Sequence, residues 1–204
     1  METLKCETAL LGVASRTMDG EKVCGDTHSF VPFSDGLLVA AIDGLGHGPE
    51  AAIACTAAAE TISGCSQEGV IAVIQRCHES LHSTRGAVIS IASLDARKSE
   101  MTWLGVGNVE ACLIRADVRA KERPYVLTRG GVVGHSLPPL RAETLPIGRG
   151  DTLVMATDGV HSGFCRDLDK DLPPQEMADA ILDRFGKKSD DALVVVVRWL
   201  GQPK

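Results

Sequence analysis

Seven short apolar runs, rich in β-branched residues and bounded by Gly and Asp, fall at 10–14, 36–42, 87–94, 101–106, 109–115, 151–157 and 192–199. Runs of this length and composition read as strands. Some are separated only by Asp95-Ala96-Arg97-Lys98 or Gly107-Asn108. Such neighbours have to pair antiparallel, because a parallel pair needs a long crossover each time. Three helical segments interrupt the strands. The first, 49–63, opens on Pro49; the second, 68–83, carries Val70, Ile74, Cys77 and Leu81 on one face; the third, 173–185, is closed by Gly186. The order predicts an α+β layered domain of antiparallel sheets covered by helices. The stretch 116–150 is rich in Pro and Gly and weak in periodicity, which predicts irregular surface structure near a site.

A chain of 204 residues with no repeat, low-complexity tract or Pro/Ser-rich linker reads as one unit over 1–204. No apolar run approaches the roughly 20 residues that a membrane span needs. The N-terminus sets Glu2 and Glu7 around Lys5, unlike a signal peptide, so the expected location is the cytoplasm. Net charge is -6, with two Trp, one Tyr and four Phe and no cluster of Lys and Arg. That argues against nucleic acid as a partner. The seven cysteines (Cys6, Cys24, Cys55, Cys65, Cys77, Cys112, Cys165) form no C-x-x-C pair and read as reduced core thiols. The mixed-charge run Arg115, Arg119, Lys121, Glu122, Arg123 reads as a solvated loop.

Two strands end alike: 37–42 runs into Asp43-Gly44, and 152–157 runs into Asp158-Gly159. Each sets a carboxylate where a buried strand leaves its sheet. The last strand is preceded by Asp190-Asp191, and in an antiparallel sheet the start of one strand lies beside the end of its neighbour. Asp26, in Cys24-Gly25-Asp26, precedes a β-leaning segment at 27–31 and can join the same edge. Gathered carboxylates repel unless a cation neutralises them, and an all-oxygen set suits magnesium or manganese. Gly44 has no Cβ to keep its carbonyl from an ion, and Gly46 and Gly48 let the chain turn before Pro49.

The string Asp43-Gly44-Leu45-Gly46-His47-Gly48, with Thr157-Asp158-Gly159-Val160 and Asp190-Asp191 before a terminal strand, resembles the type 2C metal-dependent protein phosphatases. Within them it is most similar to the SpoIIE-like bacterial branch and its RsbX-like stressosome members. The resemblance spans nearly the whole chain in the family's order. It implies a four-layer α-β-β-α sandwich and two Mn or Mg ions held by Asp26, Asp43, the Gly44 carbonyl, Asp158 and Asp190, with Asp43 bridging and catalytic together with Asp158. It implies hydrolysis of phosphoserine or phosphothreonine on a partner protein by a metal-activated water, in bacterial stress signalling, with stressosome components as substrates. Asp190 is chosen over Asp191 by motif alignment.

The chain departs from many relatives in three places. Leu45 stands where they carry a proton-donating His. Glu21 and Lys22 stand near where they carry a phosphate-gripping Arg, and Asn108 stands where they carry Asp. The first two departures motivate a second reading, a catalytically silent binding module on the same fold, and Asn108 bears on whether a third metal binds. A third reading comes from His78-Glu79-Ser80-Leu81-His82, which matches H-E-x-x-H and on a helix would make a zinc peptidase. No third ligand follows it in the extended pattern, and both His border the apolar stripe of the helix.

Overall fold

The computed structural model describes residues 4–65, 68–117, 128–166 and 168–202. Two sheets lie face to face. The first has the strand order β1 (Leu4–Cys6), β2 (Ala9–Arg16), β11 (Ala192–Trp199), β10 (Thr152–Ala156), β7 (Glu110–Ile114). The second runs β3 (Asp26–Phe33), β4 (Gly36–Gly44), β5 (Ala87–Asp95), β6 (Glu100–Val106), β8 (Thr128–Arg129), with β9 (Glu143–Pro146) also paired to β6. Helices α1 (Pro49–Ser63) and α2 (Val70–Ser80) cover the outer face of the second sheet, and α3 (Pro174–Phe185) covers that of the first. This is the expected α-β-β-α sandwich.

The period-two alternation of strand side chains builds the layers. In β4, Leu37, Val39 and Ala41 enter the core between the sheets, whereas Leu38, Ala40 and Ile42 face α1 and α2. In β11, Leu193, Val195, Val197 and Trp199 face inward, and Ala192, Val194 and Val196 meet Met177, Ala178 and Ile181 of α3. Both strands are buried on two faces, which is why their sequences are near-continuous Val, Leu and Ala and do not alternate. Trp103 and Trp199 are fully buried in the inter-sheet core. Each such large apolar side chain contributes on the order of 2 kcal/mol of transfer free energy.

Several expectations are corrected. The segment 116–150 holds β8 and β9, and β8 pairs parallel to β6, against the all-antiparallel reading. Pairing over two residues leaves no periodic signal to read. Helix α2 stops at Ser80, with Leu81 as its C-cap, short of the predicted residue 83. Arg115 is not part of a solvated loop: its guanidinium donates to the Asp151 carboxylate at 2.8 Å, with side-chain exposures of 18% and 7%. Arg119, Lys121, Glu122 and Arg123 lie outside the described residues. Cys112 and Cys165 are not free thiols but a disulfide that ties β7 to the segment after Gly159. A sequence separation of 53 carries no sign of it; the β7–β10 pairing turns Cys112 to the outer face, where Cys165 arrives. Cys55, Cys65 and Cys77 are buried and unpaired, as expected. Among the described residues no helix is long and apolar enough to cross a membrane.

Candidate metal centre

The carboxylates meet at the end of the sandwich where β4 and β10 finish and β3 and β11 begin. Asp26 and Asp43 are direct partners across the β3–β4 ladder, so both side chains point to one face. Asp43 shares its parity with Leu37, Val39 and Ala41, which makes that the inter-sheet face. From the other sheet, Thr157 continues β10 through a hydrogen bond from its N–H to Leu193 O at 3.1 Å. Its hydroxyl accepts from Leu193 N–H at 2.9 Å and donates to Asp26 Oδ2 at 2.8 Å. Thr157 thus joins the two sheets under the site. One residue further on, Asp158 accepts from Asn108 Nδ2 at 2.8 Å.

Asp190 and Asp191 differ sharply. Asp191 is 2% exposed, and its carboxylate accepts from Met18 N–H at 2.9 Å and Gly25 N–H at 2.8 Å. It ties the β2–β3 connection to the start of β11 and is committed to that task. Asp190 is half-buried, and among the described residues its carboxylate takes one hydrogen bond, from the Asp191 N–H at 3.0 Å. That leaves it most of its acceptor capacity.

Close packing explains the glycines. A Cβ on Gly159 would fall 1.8 Å from Asp191 O, and one on Gly44 would fall 2.4 Å from Ala51 O. Both contacts are far inside van der Waals range, so neither strand end tolerates a side chain. Gly44 N–H donates to Gly25 O at 3.1 Å, which holds the two strand ends together.

Burial pushes the Asp43 carboxyl up to about 9, with repulsion from Asp26, Asp158, Asp190 and Asp191 adding to it. Asp26 is raised to about 7, first by burial; the Thr157 hydroxyl opposes the rise, and Asp191, Asp158 and Asp190 add repulsion. Asp190 is raised by burial and then by Asp158. Asp26, Asp43 and Asp190 therefore resist ionising, first because they are buried and then because neighbouring carboxylates repel them, and a divalent cation would reverse both effects.

Among the described residues no three acidic, imidazole or thiol groups close around one point as a preformed cage. The donors instead form two neighbouring sets, Asp26 opposite Asp43 and Asp158 beside Asp190, with the Gly44 carbonyl at the end of β4. Such a set fits magnesium or manganese, since ions of this kind are held by one or two carboxylates and keep several waters. A groove of about 580 Å³ lies elsewhere, lined by Phe33, Asp35, Asp95 and Arg97 near the opposite ends of β3 and β4, and includes none of these residues.

His78 and His82 do not form a zinc site. His78 Nδ1 accepts from Gly134 N–H at 2.9 Å, and His82 Nδ1 donates to Gly134 O at 2.9 Å. The two rings, 4.6 Å apart, thus hold the N–H and the C=O of one residue, Gly134. Their Nδ1 atoms serve a loop whose Val133 bridges Ala87, beside Gly44. His47 is held by Glu21 at 2.7 Å, and Leu45, where relatives carry His, packs against the inter-sheet core.

The profile of the Stage II sporulation protein E (SpoIIE) family matches residues 34–200. The chain belongs to the SpoIIE family. A curated relative, the phosphoserine phosphatase RsbX of Bacillus subtilis (strain 168), is 25% identical over 179 residues, covering 87% of this chain and 88% of the relative. Among solved structures, one reported as "The bacterial stressosome: a modular system that has been adapted to control secondary messenger signaling" is 29% identical at a TM-score of 0.85. It covers 92% of this chain and 98% of the other. A crystal structure of RsbX in complex with magnesium superposes at a TM-score of 0.86 with 23% identity over 97% of this chain and 98% of that one. At that identity the likeness establishes the fold of this SpoIIE-family chain, the type 2C phosphatase sandwich.

Three residues take part in the site in ways that the sequence alone does not show. Thr157 was legible only as part of a motif, yet it carries the hydrogen bond between the sheets. Asp191 was legible as an alternative to Asp190, but its structural task follows from burial. Lys187, whose ammonium donates to the Asp158 carbonyl, has no sequence signal, because only the fold brings 187 beside 158.

Proposed function

We propose that residues 1–204 form one metal-dependent phosphatase domain that hydrolyses phosphoserine or phosphothreonine on a partner protein, using two Mn or Mg ions. The observation that supports this most is the meeting of Asp26, Asp43, Asp158 and Asp190 from two sheets at one end of the sandwich. Asp26, Asp43, the Gly44 carbonyl, Asp158 and Asp190 would hold the ions, with Asp43 and Asp158 nearest the chemistry. When bound, such ions supply an acidified water at neutral pH and offset the charge that develops on phosphoryl oxygens.

The chain's own residues do the rest. Thr157 fixes the Asp26 carboxylate, Asn108 fixes that of Asp158, and Asp191 holds the loop carrying Gly25 and Asp26 against β11. The reaction needs no covalent phosphoenzyme, in keeping with buried thiols whose pKa values are raised by burial (Cys55, Cys77). The RsbX relative and the stressosome structure support phosphoproteins of a bacterial stress-signalling complex as substrates.

The test is manganese-dependent phosphate release from an aryl phosphate and from phosphorylated stressosome proteins. Turnover is expected to vanish in Asp43→Asn and to persist in His78→Ala. A metal-saturated wild-type protein without turnover on any phosphopeptide points instead to a silent binding module.

A further inference from the structure

The metal centre presents four carboxylates, and a phosphate dianion arriving beside them is best received by a cation. Among the described residues, Arg85 and Lys187 are cations placed near the centre. Arg85 continues the β4–β5 register, in which Gly44 pairs with Ala87 and Leu45 N–H donates to Gly86 O at 3.1 Å, so it stands opposite Gly46. Gly86, with φ 78°, breaks the strand alternation between Ala87 and Arg85, so contacts place the Arg85 side chain. Its guanidinium lies against Gly46 and pairs with Glu50 of α1, on the helix side of the sheet. Asp26 and Asp43 lie on the other face.

Lys187 is placed differently. A bridge between Val160 and Gly186, with Lys187 N–H donating to Gly159 O at 2.7 Å, fixes its backbone beside the Asp158-Gly159 turn. One of its three ammonium donors is directed at the Asp158 carbonyl, and its charge is felt at Asp190. Asn108 holds Asp158 from another direction. The Lys187 ammonium favours the ionised Asp190 carboxylate before a metal binds but repels a divalent ion bound beside it. A phosphate dianion arriving at the ions reverses the sign: the ammonium then faces an anion and has donors to offer it.

We infer that Lys187 is the residue that grips the non-bridging phosphate oxygens of the substrate beside the Asp158 and Asp190 ligands. The inference rests on the phosphatase reading above. It places substrate recognition on the segment between α3 and β11 and takes it away from the region of Glu21 and Lys22.

The experiment compares wild type, Lys187→Met and Lys187→Arg, each loaded with manganese. Phosphate affinity is read by calorimetry and by product inhibition of 4-nitrophenyl phosphate hydrolysis, and manganese affinity by electron paramagnetic resonance. Lys187→Met is expected to weaken phosphate binding and raise KM by about tenfold or more, while manganese affinity stays equal or tightens. Lys187→Arg is expected to recover most of the phosphate affinity. If Lys187→Met keeps phosphate affinity within about twofold of wild type, or loses manganese and phosphate affinity together, Lys187 only supports the ligand shell and the inference fails. A wild-type protein that binds manganese but neither binds nor releases phosphate overturns the phosphatase reading and this inference with it, a result distinct from the variant-specific failure.

Discussion

Replacing Asp191 by alanine separates the two adjacent acids by kind of effect. The Asp191 carboxylate is buried and accepts two backbone hydrogen bonds, from Met18 and Gly25. Asp191→Ala removes both acceptors and leaves the Gly25 N–H, which is buried, with no partner, while water can partly replace the bond at Met18. A stranded buried donor costs about 1–3 kcal/mol, and loss of a bond to a charged group at a partly solvated position costs about 1 kcal/mol more, which sums to roughly 3 kcal/mol. For a domain of this size that corresponds to a fall in Tm of about 6–12 °C. Asp190→Ala breaks the 3.0 Å contact with the Asp191 N–H and gives up the attraction of Lys187, but relieves repulsion with Asp158 and Asp191. Its metal-free Tm should stay within about 2 °C of wild type. The assay is differential scanning calorimetry in chelator, followed by manganese titration of each folded variant. The Asp190 variant should need far more manganese, whereas the Asp191 variant should bind it once folded at low temperature. A stable Asp191→Ala that has lost its metal, alongside an unstable Asp190→Ala that keeps it, would reverse the assignment and refute the reasoning.

Two further outcomes follow from the same geometry. In the metal-free protein Asp43 and Asp26 hold their protons up to about 9 and about 7, whereas unfolded carboxyls release theirs near pH 3.9. The native state therefore binds more protons across that interval, and stability falls as pH rises from about 4 toward 9. Tm measured from pH 5.5 to 9 in chelator should decline, and saturating manganese should remove the decline; a flat or rising profile in chelator contradicts the cluster. Gly159→Ala would drive a Cβ into Asp191 O, 1.8 Å away. It should destabilise by about 3 kcal/mol or more, or prevent soluble expression, while Gly64→Ala, at 3.5 Å from its nearest neighbour, serves as the tolerated control.

Most of the strand layout is legible in the sequence because local chemistry decides it. Short runs of Val, Ile and Leu bounded by Gly and Asp form strands, while the Val70–Ile74 run is drawn into α2 by its helical periodicity, and Pro49 and Gly186 mark helix ends for reasons internal to the backbone. The two Asp-Gly strand ends likewise place their carboxylates by local geometry. What stays illegible depends on distance along the chain. The parallel β8, the Cys112–Cys165 bond and the buried Arg115–Asp151 pair each join segments whose meeting no window of sequence reports.

The site divides along the same line. The sequence by itself determined that Asp26, Asp43, Asp158 and one of Asp190 or Asp191 are of a kind and that an oxygen-favouring metal suits them, because residue type and strand ends are local properties. Only the tertiary structure distinguished the roles of the two terminal acids, turned H-E-x-x-H into a clamp on Gly134, and brought Lys187 to the mouth of the site. Burial and hydrogen-bond partners decide those roles, and both exist only once the two sheets have closed on each other.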